Sequence, residues 1–241
     1  MARRISKQPT VRKSGVTEPM TFVLVHGAWG GGWSVERLAG RLRAKVHRVY
    51  APTLSGLGER SHLVAERIDL CTHINDVVNE ILWKDLRQVK LVGISYGGLV
   101  ITGVAERIKD RIDSIVYVDA FIPRNGQSFA DITGVKLKGK TTAPMAAPRS
   151  AFPTKADWAW VRAKSTPQPN GTFKERLRVT GAYLRVRHRT YVQATGWDGP
   201  FFQLVANLRR HSGWKIHEIN CAHDIANLRP DELTGILVRN P

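Results

Sequence analysis

The chain has 241 residues, 42% hydrophobic and 24% charged, with 37 lysines and arginines against 20 acidic residues for a formal net charge of +17. That balance belongs to a globular protein, and the length suits one large α/β domain or two small ones with a sizeable core, not a disordered or collagen-like chain. Two cysteines, Cys71 and Cys221, exclude a disulfide framework and a four-ligand zinc site, and no apolar run approaches the roughly 18 residues of a membrane helix.

Residues 1–19 carry Arg3, Arg4, Lys7, Arg12 and Lys13 against Glu18 and contain no apolar stretch of the kind a secretory signal needs. They read as a disordered basic leader or a stretch ahead of a natural start at Met20, with a basic targeting arm as the other reading. Six short apolar runs then predict strands: Phe22–His26, Val46–Tyr50, Val89–Gly93, Ser114–Val118, Thr190–Ala194 and Trp214–Ile219. Helical spacing fills Trp33–Ala44, Leu70–Asp85, Tyr96–Ile108 and Pro230–Val238. Alternation of helices with nearly continuous apolar strands predicts an α/β fold, a mostly parallel sheet covered by helices on both faces.

One interval breaks the rhythm. Between Phe121 and Arg189 the sequence shows no convincing strand, six prolines and one predicted helix at Lys155–Lys164. An insertion of that length between two strands is most simply a cap, here about residues 125–188, over one end of the sheet in a domain spanning 20–241. From Asn125 to Thr190 there are thirteen basic residues against three acidic ones, which accounts for ten of the seventeen excess positive charges. These residues do not form a known nucleic-acid module, so the expected role of the charge is solubility.

The strongest chemical signal is Gly93-Ile94-Ser95-Tyr96-Gly97, directly after a predicted strand and before a predicted helix. In that setting Gly-x-Ser-x-Gly lifts a serine hydroxyl above the sheet on a turn too sharp for neighbouring Cβ atoms. Ser95 is therefore the predicted nucleophile. The glycine-rich His26-Gly27-Ala28-Trp29-Gly30-Gly31-Gly32 after the first strand fits an oxyanion hole, with the N–H groups of Ala28 and Tyr96 as donors. Its spacing is neither that of a dinucleotide loop nor that of a phosphate loop. Of eight histidines, His223 lies between the last strand and the last helix, at the sheet end where Ser95 projects, and is the predicted base. His47 and His217 are read within strands, His73 on a helix, and His62, His188 and His211 in polar, exposed stretches. The third member is Asp119, directly after the fourth strand, or Asp198, after the fifth, with Asp119 preferred because the sheet fixes its position.

The chain resembles the α/β-hydrolases related to plant hydroxynitrile lyases and methyl-ester esterases. The likeness rests on His26–Trp29, on Thr53–His62, on Gly93–Gly98, on Tyr117–Pro123 and on Ala222-His223-Asp224. It implies an α/β-hydrolase fold with a mainly helical cap and a Ser-His-Asp triad, working without metal or organic cofactor. Lyases of this type have threonine at the place of Gly27 and lysine at the place of Asp224, so the ester-hydrolysing branch is favoured. Plant members put the acid after the later strand, which matches Asp198 loosely and leaves Asp119 as a departure. The expected function is hydrolysis of a small carboxylic ester, probed against a small-molecule receptor, a lyase and nucleic-acid binding as alternatives. Phe152, Trp158, Trp160, Trp197, Phe201 and Phe202 serve either an apolar or aromatic substrate pocket or the cap's own core. No membrane or nucleic-acid partner is expected, the expected address is the cytoplasm, and nothing in the sequence opposes a homodimer.

Overall fold

A computed structural model describes residues 18–64, 67–144, 149 and 152–239, so residues 1–17 of the leader lie outside the described residues. In chain order the strands are β1 (Thr21–Val25), β2 (Arg48–Tyr50), β3 (Val89–Ile94), β4 (Ile112–Val118), β5 (Thr141–Thr142), β6 (Gln168–Pro169), β7 (His188–Ala194) and β8 (Lys215–Ile219). The helices are α1 (Glu36–Arg43), α2 (Leu70–Trp83), α3 (Gly97–Ile108), α4 (Phe129–Thr133), α5 (Lys155–Lys164), α6 (Asn170–Lys174), α7 (Phe202–Leu208), α8 (Ile225–Leu228) and α9 (Pro230–Arg239). Six strands form one parallel sheet in the order β2-β1-β3-β4-β7-β8.

Alternation along each strand divides the core into two layers. Val23, Val25, Leu91, Ile115, Tyr117 and Tyr191 face α2 and α3. Phe22, Leu24, Val92, Val116, Val118 and Val192 face α1 and α9. Both sets are buried, which is why the strands read as apolar on every residue instead of every second one. Asp69 opens α2 with a reciprocal cap to Thr72, its carboxylate accepting the Thr72 N–H at 2.8 Å, a device that stabilises a helix start by about 1 kcal/mol.

The chain order fixes where a site can form. From β1 the chain crosses to β2 on one side and then to β3 on the other, so the loops after β1 and β3 diverge and leave a crevice at the carboxyl ends. Register places those ends level: Val25 lies opposite Gly93, and Ile94 opposite Val118. His26, Ser95 and Asp119 each follow a strand directly, and so emerge side by side.

All six predicted main-sheet strands are present, with one boundary corrected. Val46 and His47 do not belong to β2. They close α1 in a Schellman-type turn, with His47 N–H donating to the Leu42 carbonyl at 3.3 Å and Val46 at φ 61°. A β-branched residue in that left-handed region is strained. His47 is buried instead, accepting the Met20 N–H. His188, expected in an exposed stretch, opens β7 with its ring half-buried beside Asp113. The short β5–β6 ribbon and the helices α4, α6, α7 and α8 have no counterpart in the predicted elements.

Two substitutions test this local geometry in opposite directions. A Cβ on Gly97 would lie 2.5 Å from the Val25 carbonyl oxygen and 2.8 Å from that of His26. Gly97→Ala is therefore expected to cost about 2 kcal/mol or more. Val46→Gly relieves an exposed left-handed valine and is expected to gain about 1 kcal/mol. Urea unfolding of both variants reads the two signs.

Candidate active site

Ser95 occupies the turn between β3 and α3 at φ 55°. The turn is held on three sides: the Ser95 N–H donates to Val118 O at 3.2 Å, and its carbonyl accepts from Gly98 N–H and Phe121 N–H at 3.0 and 3.1 Å. A Cβ on Gly93 would sit 2.7 Å from the Gly97 carbonyl oxygen. The glycines flanking the serine thus permit a backbone approach that no other residue would. Tyr96 directly precedes the first turn of α3, where N–H groups have no acceptor within the helix. That leaves its amide free to serve an anion at the helix's positive end.

The loop after β1 packs against the same serine. An ideal Cβ on Gly27 would lie 3.2 Å from Ser95 Cβ and 3.7 Å from its Oγ. His26 explains the loop's shape. Its Nε2 accepts the Leu54 N–H at 3.1 Å, so Nδ1 carries the proton and donates to the Gly27 carbonyl at 2.8 Å. In a trans peptide the N–H points opposite the C=O. By holding the Gly27 oxygen, His26 turns the Ala28 N–H the other way.

His223 and Asp119 come together. His223 Nδ1 lies 2.7 Å from Asp119 Oδ2. The Asp119 carboxylate is buried, and it also accepts the Ala194 N–H at 3.1 Å on Oδ1 and the Trp197 indole N–H at 2.9 Å on Oδ2. A buried carboxylate without partners would be driven to protonate, whereas three N–H donors stabilise its charge. Asp119 itself stands at φ 43°, a conformation aspartate tolerates better than most residues. The next residue, Ala120, is clamped by the buried Tyr191 hydroxyl, which accepts its N–H and donates to its carbonyl, both at 2.9 Å. Asp198 is exposed and is not joined to His223 by any hydrogen bond among the described residues.

The His223 ring packs beside Trp197 at 4.8 Å and Phe201 at 5.9 Å, whose own rings are 6.3 Å apart. Ring contacts continue from Phe201 to Phe121, Phe129, Phe173 and Trp29, an aromatic arc that begins at His223 and ends in the loop after β1. The other aromatics singled out in the sequence lie elsewhere. Trp160 packs edge-on against Trp33 at 4.9 Å, Trp158 stacks under Arg162, and Phe202 is exposed. Cys221 is buried with its thiol pushed up to about 11 by desolvation, which suits packing and not nucleophilic work. Cys71 is only half-buried, with Arg107 donating to its Sγ at 3.0 Å.

Two residues make site contacts that the sequence did not signal, Trp197, read there only as a pocket or cap aromatic, and the buried His73, read there only as a helix residue. Trp197 reaches Asp119 from 78 positions away. His73 Nε2 lies 2.9 Å from the Ser55 carbonyl, so that nitrogen is protonated and Nδ1 accepts from the Tyr96 hydroxyl at 3.0 Å. Burial holds both His26 and His73 at about 4, well below the ordinary 6.5.

The chain belongs to the alpha/beta hydrolase family, whose model matches residues 22–235. Among individual relatives, it is 39% identical over 231 residues to a carbendazim hydrolyzing esterase from Nocardioides sp. (strain SG-4G), covering 88% of this chain and 96% of that protein. It is 36% identical over 107 residues to an alpha-hydroxynitrile lyase of Arabidopsis thaliana, 42% of this chain and 40% of the other. Among solved structures, an extracellular alpha/beta-hydrolase from a Paenibacillus species, described as structurally and functionally homologous to tobacco salicylic acid binding protein 2, superposes with a TM-score of 0.77 at 26% identity. That match covers 92% of this chain and 99% of the other.

The neutral histidines make stability pH-dependent. The unfolded chain takes up protons on His26 and His73 as pH falls below 6.5, while the folded protein resists until about 4. Their contribution is therefore complete above pH 6.5 and lost across the window from 6.5 down to 4. The melting temperature is expected to fall by several degrees or more between pH 7 and pH 4.5, and His73→Gln is expected to flatten that slope. A profile of equal steepness in the variant would contradict the assignment.

Proposed function

We propose that the protein is a serine esterase that cleaves a small carboxylic ester through an acyl-enzyme on Ser95. The observation that carries this reading is the buried Asp119 carboxylate 2.7 Å from His223 Nδ1, beside a nucleophile elbow in its strand–turn–helix setting. With Nδ1–H donated to Asp119, the Nε2 lone pair is available to take the Ser95 proton as Oγ attacks the carbonyl carbon. Negative charge moves to the carbonyl oxygen, where the Ala28 and Tyr96 N–H groups receive it. His223 then protonates the leaving alcohol, and water activated by the same imidazole releases the acid and restores Ser95.

Asp119 fills the orienting role and Asp198 does not, because only Asp119 is within hydrogen-bonding distance of the imidazole. Gly27 supports hydrolysis over lyase chemistry. A side chain there would project beside the Ser95 hydroxyl, as the 3.7 Å approach of a bare Cβ indicates, whereas glycine leaves that space to the substrate carbonyl. The half-buried faces of Trp29, Phe121 and Trp197, together with Phe201, favour an apolar or aromatic group on the ester. The relative named for carbendazim hydrolysis makes carbendazim the first compound to assay, alongside nitrophenyl esters from acetyl to octanoyl.

Ser95→Ala is expected to lower kcat by 10⁴-fold or more, and Asp119→Asn by on the order of 10⁴. Asp198→Asn is expected to stay within about twofold of wild type, since no role in the reaction falls to it. Loss of activity in Asp198→Asn with retention in Asp119→Asn would reverse the acid assignment. Folded wild-type protein inactive on every compound would reject the esterase reading.

A further inference from the structure

Trp29 stands next to the proposed oxyanion donor Ala28, at φ 61°, a conformation that a tryptophan does not hold without help. The help comes from the insertion between β4 and β7. The Trp29 N–H donates to Gln168 Oε1 at 2.9 Å, its carbonyl accepts the Thr166 N–H at 3.0 Å, and its indole N–H donates to the Thr142 carbonyl at 3.1 Å. Thr142 and Gln168 are direct partners in the β5–β6 ribbon. The ribbon therefore grips Trp29 by its N–H and by its side chain, while Thr166, two residues ahead of β6, holds its carbonyl.

Gln168 is fully buried and has a second partner. Because the Trp29 N–H needs an acceptor, Gln168 turns its oxygen that way, and its Nε2 donates to Thr172 Oγ1 at 2.7 Å. The Thr172 hydroxyl donates to the Pro169 carbonyl, 2.7 Å away, and lies beside the Tyr96 hydroxyl. Tyr96 in turn donates to His73. Trp29, Gln168 and Thr172 are thus one connected polar chain that ends against the hydrogen-bonded Tyr96–His73 pair, and Gln168, Thr172, Tyr96 and His73 are all fully buried. It runs from the residue after one proposed oxyanion donor to the side chain of the other. A chain of this kind in a low-dielectric interior tolerates few alternative arrangements, because each break leaves a buried donor or acceptor unpaired.

We infer that Gln168 and Thr172 are positioning residues that hold the two oxyanion donors in mutual register, so that the insertion helps set the geometry of the reacting site as well as covering it. The inference rests on the proposed roles of Ala28 and Tyr96. Gln168 and Thr172 touch neither the serine nor the histidine, and their effect passes through Trp29 and Tyr96.

The test compares Gln168→Met, Thr172→Val and Thr172→Ser with wild type. Active sites are counted by titration with a fluorophosphonate, and kcat per titrated site and KM are measured on the best nitrophenyl ester. Binding of an aryl trifluoromethyl ketone, whose serine adduct carries an oxyanion, is set against binding of the carboxylate product. Loss of a whole donor costs roughly 10²–10³, and displacement of both donors is expected to cost less. Gln168→Met should lose about 10- to 100-fold in kcat per site with KM within about twofold. The ketone should weaken by the same factor as kcat/KM, and the carboxylate should be unaffected. Thr172→Val should lose several-fold, and Thr172→Ser should recover to within about twofold. If Gln168→Met does not fold, the Thr172 pair carries the same comparison. Unchanged kcat per titrated site in the folded variants, with fewer sites or none lost, would overturn the inference while leaving the esterase reading intact. A wild type that neither titrates nor turns over would remove that reading and the inference with it.

Discussion

A carboxylate buried in a protein interior must be matched by donors, and at Asp119 that requirement organises one whole end of the sheet. Its three partners come from the end of β7, from the loop that follows, and from the turn after β8. Removing any one leaves part of a negative charge unpaired at low dielectric, a cost of several kcal/mol. Ala194, Trp197 and His223 thus converge on one buried carboxylate. Its own position is fixed by β4, whose last residue lies level with the end of β3 and with the elbow that carries Ser95.

The other half of the site obeys a different constraint, which is close approach. Gly97 lets the start of α3 meet the loop after β1 at distances a Cβ would forbid, and Gly27 keeps that loop close against Ser95. Hydrogen bonds then choose one arrangement among those that fit. His26 sets one peptide plane and Gln168 the next. The charged half and the close-packed half share Ser95, whose carbonyl is bonded to Phe121 just beyond Asp119. The β5–β6 ribbon ties the insertion to the close-packed half through Trp29.

Much of this was legible in the sequence, for identifiable reasons. Strands buried on both faces announce themselves as continuous apolar runs, as β1, β3 and β4 do, whereas the edge strands β2 and β8 keep exposed polar positions and were legible from their apolar residues alone. Ser95 and His223 were legible because their neighbours fix the local turn and the strand–helix boundary. The choice between Asp119 and Asp198 was not resolved by pattern, since both follow strands. It depends on which carboxylate the β8 turn reaches, and that distance is a property of the sheet. Trp197, Gln168 and His73 had no local signature, because their partners lie 78, 139 and 23 residues away along the chain. Val46 and His47 were misread as strand because a β-branched residue in a left-handed turn contradicts its own propensity. The ribbon escaped notice because two residues are too few to show a period.

The most direct test of the Asp119–His223 pairing is proton NMR of the His223 ring near neutral pH, where a strong Nδ1–H hydrogen bond to a buried carboxylate appears as a resolved, far-downfield resonance. The pairing predicts that this resonance is present in wild type and in Asp198→Asn and disappears in His223→Ala, with a pronounced upfield shift or loss in Asp119→Asn. A resonance that survives unchanged in Asp119→Asn and vanishes in Asp198→Asn would contradict it and would move the charge that organises the site to the later loop.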